Sequence, residues 1–257
     1  MGQARSKVSV LGAGHVGSAV ANALVLLRVC DLVMLYDRDL ACAEGQAWDI
    51  GDAVPLLSEM EIVPTAEYGD LADSDVVVIG MVLDGARLRH QLGKLLGVDQ
   101  DSVHAHVIGE HGDSSFPVWS SVTVGAIRLD QYGLPDGTSL PVVQHDLAAA
   151  VRSRGRRIHE RKGYTSYGVA AAVARIVRAI VRDEKRIFMV SVLAAQEYGI
   201  GPVALSLPCI VGRGGIARQL VLTMSEEERR MLERSATILD QAYKSLSPGK
   251  GTTTREK

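Results

Sequence analysis

The sequence predicts an α/β fold in two successive parts, a parallel sheet covered by helices and then an α+β half with mixed antiparallel strands. Three observations carry that prediction. From Val8 to Asp37 the chain reads apolar run, glycine-rich turn, helical pattern, second apolar run and acid, the signature of a βαβ unit. Asp75-Val-Val-Val-Ile-Gly80 is an uninterrupted β-branched run of the kind that suits a parallel strand buried on both faces. Beyond Arg186 the pattern changes to alternating segments separated by glycine turns, which suits antiparallel strands. At 257 residues, 47% hydrophobic and 23% charged, the chain has material for one large domain or two ordinary ones. The expected division is residues 1–98 and 99–257.

The elements follow in order. Val8–Leu11 is a strand, the helical pattern runs from the glycine turn to Leu27, and Leu32–Tyr36 is the second strand. Arg38–Asp52 reads as a helix with Ala41, Ala43, Ala47 and Trp48 among polar residues, and Glu61–Thr65 as a short strand. Leu71–Ser74 leads into the strand at Asp75–Gly80, and Met81–Gly97 opens another helix. Val103–Ile108 reads as one strand ending in the polar turn Gly109–Ser114. Val118–Leu129 is apolar, Leu134–Ser139 a loop, and Pro141–Glu184 helical with a break near Gly163. Arg186–Ala194 and Pro202–Val211 are expected to pair antiparallel across Gly199-Ile200-Gly201, with a turn at Gly212–Gly215. The last helix starts at a capping box, Ser225 with Glu228, and carries Leu232, Leu239, Tyr243 and Leu246 on one face. The tail Ser247–Lys257 is expected to fray.

Bulk properties exclude several classes. A net charge of −2 gives no general reason to expect nucleic acid or an anionic membrane as partner. Cys30, Cys42 and Cys209 are scattered, form neither a metal spacing nor a disulfide framework, and fit a reducing cytoplasm. No apolar run is long enough to span a bilayer. Arg5 and Lys7 before an apolar stretch could open a secretory signal, but three glycines and a histidine interrupt the would-be hydrophobic core.

The glycine turn, Gly12-Ala13-Gly14-His15-Val16-Gly17, gives each glycine a physical task. Gly12 permits the tight turn, Gly14 lets a diphosphate approach the backbone, and Gly17 lets helix and strand pack closely. The free N–H groups at the helix start then face phosphates. Asp37, twenty residues beyond Gly17, can accept hydrogen bonds from a ribose diol and would repel a 2′-phosphate, which favours NAD.

Two polar clusters ask for a chemical account. Asp84 and Arg87 lie three apart on one helix face, while Arg89 is turned about 200° from Arg87. A solvated charged face is the ordinary explanation for such a group. His111 sits between glycines on the turn after a buried strand, where it can hand a proton to a carbonyl oxygen as hydride reaches carbon. A carboxylate such as Asp84 could hold its ring, and a guanidinium such as Arg87 could grip a substrate carboxylate with two parallel bonds. His104, His106, Glu110, His111 and Asp113 could instead be read as a metal site, since alternation in a strand puts His104 and His106 on one face.

The motifs GAGHVG, YD at Asp37, LDGARLR, GEHGDSS, RKGYTSYGVA and LSLPCIVGRGG together resemble the L-lactate/malate dehydrogenase family, with the bacterial lactate branch nearest. The resemblance covers nearly the whole chain. It implies a Rossmann-type NAD-binding domain over residues 1–98 and a substrate domain over 99–257. It implies that His111 is the catalytic acid/base, Asp84 its partner, and Arg87 and Thr165 substrate-binding residues. Gly12, Gly14, Val16, Gly17 and Asp37 are the implied NAD site, and no metal is implied. Arg89 and His104 match the pair that binds fructose 1,6-bisphosphate in bacterial members. The substrate class implied is a small 2-keto or 2-hydroxy acid, in a cytoplasmic homo-oligomer, a tetramer in the family.

One departure stands out. Between Gly80 and Met81 the family carries a mobile loop and two further strands with their helices, on the order of sixty residues at about thirty per βαβ step. The parallel sheet is therefore expected to be incomplete by about two strands. Gone with them are the loop arginine that polarises the substrate carbonyl, the residue that separates lactate from malate enzymes, and the asparagine of a TNP-like motif. Val76–Ile79 would then form an apolar sheet edge.

Overall fold

The structure, a computed structural model, describes residues 5–57, 60–74, 82–135, 138–194 and 198–246. The strand expected at Asp75–Gly80, the Gly80–Met81 junction and the tail from Ser247 lie outside the described residues. The chain forms two compact units. One gathers Met1–Leu83, Ser153–Phe188 and Cys209–Gln219, the other Asp84–Arg152, Met189–Pro208 and Leu220–Lys257. Each unit is discontinuous along the chain, unlike a single cut after residue 98.

In chain order the elements begin β1 (Lys7–Leu11), α1 (His15–Leu26), β2 (Leu32–Tyr36), α2 (Leu40–Gly51), α3 (Val54–Leu57) and β3 (Glu61–Thr65). They continue with α4 (Val82–Leu96), β4 (Val103–His104), β5 (Val107–Ile108), β6 (Phe116–Pro117), β7 (Thr123–Val124), β8 (Ile127–Arg128) and α5 (Leu129–Tyr132). The remainder are α6 (Leu140–Lys162), α7 (Tyr167–Val181), β9 (Arg186–Leu193), β10 (Ala204–Gly212), β11 (Gly215–Gln219) and α8 (Glu226–Leu246).

In the first unit β1, β2 and β3 form a parallel sheet with β2 central, in register Val8↔Val33 and Val33↔Ile62. Its covering helix α1 buries Val20, Ala21, Leu24 and Val25, a spacing that lines one helical face. These residues share a core with Val8, Val10, Val33 and Leu35 of the strands and with Ala170, Ala174 and Val177 of α7. Small alanines on α7 let it approach α1 closely. Asp39 caps α2, its carboxylate accepting from the Ala41 and Cys42 backbone N–H groups at 3.2 and 3.5 Å. Ala43 and Ala47 of that helix are buried, whereas Trp48 is exposed. β10 and β11 pair antiparallel across the turn at Arg213-Gly214, a second strand where sequence gave only a turn.

The second unit packs Ile108, Phe116, Val118, Met189, Leu205, Leu207, Leu232 and Ala236 into one core. The capping box of α8 forms reciprocally: the Ser225 N–H donates to the Glu228 carboxylate at 2.8 Å and the Glu228 N–H to Ser225 Oγ at 3.2 Å. On α8 Leu232 is fully buried, but Tyr243 is exposed and does not continue that face. The single strand expected over Val103–Ile108 is two short ones. β4 pairs with β7, and β5 with β6. Between them the Ala105 carbonyl accepts from Arg89 and the His106 carbonyl from the Val118 N–H, so the backbone there is bonded outside a single ladder. His104 is exposed while His106 is partly buried and lies outside both strands, between β4 and β5.

Candidate functional site

The glycine turn between β1 and α1 has the geometry its sequence requires. Gly12 sits at φ 95°, and its N–H donates to the Tyr36 carbonyl at 2.7 Å, tying the turn to β2. A Cβ on Gly17 would lie 1.7 Å from the Gly12 carbonyl oxygen, so only glycine fits. A Cβ on Gly14 would meet nothing within 4 Å, leaving open space above the turn. Gly14 precedes α1, whose first turn carries neither a side-chain cap nor an acidic residue. Its N–H groups and its dipole therefore remain available to an anion. Val16, in that first turn, is 43% exposed.

Asp37 closes the site at the end of β2. One carboxylate oxygen accepts the Ala13 N–H at 2.7 Å and the other the Asp39 N–H at 3.1 Å. Those two backbone donors hold its carboxyl below the usual carboxylate range. Each oxygen keeps a lone pair for a further donor, as a ribose diol would supply. An open turn, a bare helix terminus and an ionised acid fit the adenosine diphosphate portion of NAD.

Two features near the turn had no sequence signal. His15, first residue of α1, stacks on Tyr164 with ring centroids 4.1 Å apart and planes 7° from parallel. Lys162 lies over the rings of Tyr164 and Tyr167 at 4.2 and 3.9 Å. Thr165 lies in the same short segment between α6 and α7, half-buried, in the first unit.

The second unit brings together three of the residues singled out above. Asp84, in the first turn of α4, is only 8% exposed. Its Oδ1 accepts from Arg87 Nη1 at 2.9 Å, one helical turn on, and its Oδ2 faces His111 Nδ1 at 3.6 Å. The first distance is a charge-assisted hydrogen bond, and the second is an ion-pair approach longer than a good hydrogen bond. The Asp84 carboxylate raises the His111 pKa from its ordinary value, against an opposing effect of desolvation and of the Arg87 charge. The His111 side chain itself is 75% exposed and so is accessible to a ligand. The cluster is thus a buried carboxylate serving a guanidinium and an exposed imidazole.

Arg89 points away from this cluster, donating from Nη1 to the Ala105 carbonyl at 3.4 Å. His104 lies on β4 and is exposed. His106, close to both, is pushed down to about 4 by burial first and then by the charges of Arg89 and His104. It is neutral at neutral pH. Among the described residues no group of three or more His, Cys, Asp or Glu side chains is arranged to hold a metal ion. Nor is any helix among them long and apolar enough to cross a membrane.

Residues 6–85 match the model of the lactate/malate dehydrogenase NAD-binding domain, and residues 82–247 that of the lactate/malate dehydrogenase α/β C-terminal domain. The chain is 33% identical to an L-lactate dehydrogenase of Synechococcus sp. (strain JA-3-3Ab), over 93% of this chain and 99% of the relative. It is 34% identical to the L-lactate dehydrogenase of Thermus aquaticus, over 93% and 99%. Among solved structures it resembles MGS-M5, a lactate dehydrogenase from a Medee basin deep-sea metagenome library, with TM-score 0.88, 26% identity and coverage of 95% and 99%. The Synechococcus alignment extends over 307 positions but takes in 93% of the 257 residues of this chain, about 239, an excess of about 68 positions.

Proposed function

Because the chain belongs to the lactate/malate dehydrogenase family, we propose that it interconverts pyruvate and L-lactate. It is an NAD-dependent L-2-hydroxyacid dehydrogenase, and the choice of pyruvate rests on the named relatives and on the form of the GEHGDSS and RKGYTSYG motifs. The observation that carries the chemistry is Asp84 Oδ2 at 3.6 Å from His111 Nδ1. The bound cofactor would supply the hydride for keto-acid reduction as NADH and accept it in the reverse direction as NAD+. Gly12, Gly14, Val16 and Gly17 are proposed to receive its diphosphate and Asp37 its adenosine ribose. The pKa-raised imidazolium of His111 donates a proton to the keto oxygen as the carbonyl carbon is reduced, and takes it back when the hydroxy acid is oxidised. Asp84 stabilises the imidazolium and selects the tautomer that leaves Nε2 for substrate. Arg87 keeps most of its guanidinium donors for the substrate carboxylate while Asp84 holds one of them. Thr165 is proposed as a substrate-binding residue on the strength of its motif alone.

The chain is also proposed to lack about two strands of the sheet at Gly80–Met81, a reading supported by the excess of about 68 alignment positions over the aligned residues of this chain. Such a protein lacks the arginine that in the family polarises the carbonyl, so binding survives better than turnover. A catalytically inactive NAD-binding or subunit-interaction protein is the second reading, favoured by that same excess, and malate dehydrogenase a third.

One set of assays separates them: NADH fluorescence titration, and NADH oxidation with pyruvate and with oxaloacetate. The expected result is measurable NADH binding with pyruvate turnover below about 10 per second. His111→Ala then abolishes the remaining reduction and leaves NADH affinity unchanged. Equal turnover in the mutant removes His111 from the mechanism, and faster oxidation of NADH by oxaloacetate selects the malate reading. A cytoplasmic homotetramer responsive to fructose 1,6-bisphosphate through Arg89 and His104 completes the proposal.

A further inference from the structure

The loop that carries His111 is closed by a residue more than a hundred positions downstream. Ser235, on α8, is fully buried. Its hydroxyl oxygen accepts the Glu110 backbone N–H at 2.6 Å and stands 3.0 Å from the Ser114 hydroxyl. The Ser114 hydroxyl donates to the Glu110 carboxylate. A hydroxyl has a single proton, so Ser114 has none left for Ser235, and Ser235 must be the donor between them. Every direction is then fixed: Glu110 N–H to Ser235, Ser235 O–H to Ser114, and Ser114 O–H back to the Glu110 side chain. Two glycines make room for this ring. A Cβ on Gly109 would lie 2.7 Å from Ser235 Oγ, and one on Gly112 would lie 2.6 Å from Glu110 Oε1.

We propose that Ser235 is a positioning residue for His111: by closing this ring it fixes the backbone at Glu110 and so aims the imidazole at Asp84. The proposal rests on the reading of His111 as proton donor. An exposed side chain with its Nδ1 3.6 Å from the Asp84 carboxylate is not held by packing, so its aim has to come from its backbone. Bonds running in one direction around a ring polarise and strengthen one another. The charged groups facing the imidazole are Asp84 and Arg87 from α4 and Glu110 from its own loop. Ser235 carries no charge, so its removal reaches His111 through geometry.

The test uses the full chain labelled with ¹⁵N-histidine. The His111 titration midpoint is measured by NMR in the parent, Asp84→Asn and Ser235→Ala proteins, with amide exchange measured at Glu110. In Ser235→Ala the midpoint is expected to fall toward the ordinary value of about 6.5, with Glu110 exchange accelerated roughly tenfold or more. Leu239→Ala, which trims α8 but leaves the ring intact, is expected to lower Tm without moving the midpoint. Where turnover is measurable, kcat falls on the order of 10- to 100-fold with KM for pyruvate little changed. A midpoint in Ser235→Ala equal to the parent's overturns the proposal. Should that variant fail to fold, Ser114→Ala breaks the same ring and is judged by the same outcomes. A parent midpoint that Asp84→Asn leaves in place defeats the His111–Asp84 pairing itself; Glu110 exchange still reads the ring, and exchange unchanged in Ser235→Ala overturns it.

Discussion

Asp84 divides one buried carboxylate between two cations, and that division decides how the site responds to pH. Oδ1 is committed to Arg87 and Oδ2 to His111. The raised His111 pKa means the pairing contributes its stabilisation below about pH 6.5 and loses it as pH rises through the raised value. With His111 as the proposed proton donor, kcat/KM for pyruvate is expected to fall along the same limb. Asp84→Asn keeps the shape and removes the charge, and is expected to move that limb to lower pH. A pH profile of the variant that overlays the parent's would refute the assignment. At this scale the grouping of His111, Asp84 and Arg87 was legible because each sits in a short polar motif. Ser235 was not, because its contact with Glu110 spans 125 positions and a lone serine on a helix announces nothing.

The glycine turn shows how one element can separate a steric role from a binding role. Gly17→Ala would press a Cβ to 1.7 Å from a backbone carbonyl, so α1 and β1 must part. Gly14→Ala meets only open space in the protein and obstructs whatever approaches the turn. The expected outcome is that Gly17→Ala lowers both Tm and NADH affinity, whereas Gly14→Ala weakens NADH binding with little change in Tm. Calorimetry beside fluorescence titration checks this, and equal Tm losses would remove the distinction. Strands β2 and β3 were readable to the residue, β2 as a buried apolar run and β3, mostly exposed or half-buried, as a short run rich in β-branched residues. Val103–Ile108 was misread as one strand because an apolar run records burial but not which neighbours supply its ladder. The second strand of the Arg213-Gly214 hairpin, β11, is short and largely exposed, and so lacked the apolar pattern by which strands are recognised.

For the whole molecule the open matter is regulation. Arg89 is turned from Arg87 toward Ala105, near His104 on β4, which suits a task other than gripping substrate. Fructose 1,6-bisphosphate is therefore expected to shift pyruvate-reducing activity or sedimentation of the parent, and Arg89→Gln to remove the shift. A parent indifferent to the bisphosphate in both measurements defeats the assignment of Arg89 and His104. The two-part organisation was legible from the change in pattern along the chain. Its discontinuity was not, because the apolar face of α7 does not say which of several earlier faces it will cover.

That discontinuity has a consequence for the chain as it is made. Helix α1 ends at Leu26 and packs against α7, which begins only at Tyr167, some 140 residues later. At ~5–20 residues per second of synthesis, the wait is roughly 7 to 28 s. Through that interval the part of the α1 surface meant for Ala170, Ala174 and Val177 stays uncovered on the ribosome. The N-terminal unit therefore cannot mature in order of emergence. Its core closes only once that late helix arrives.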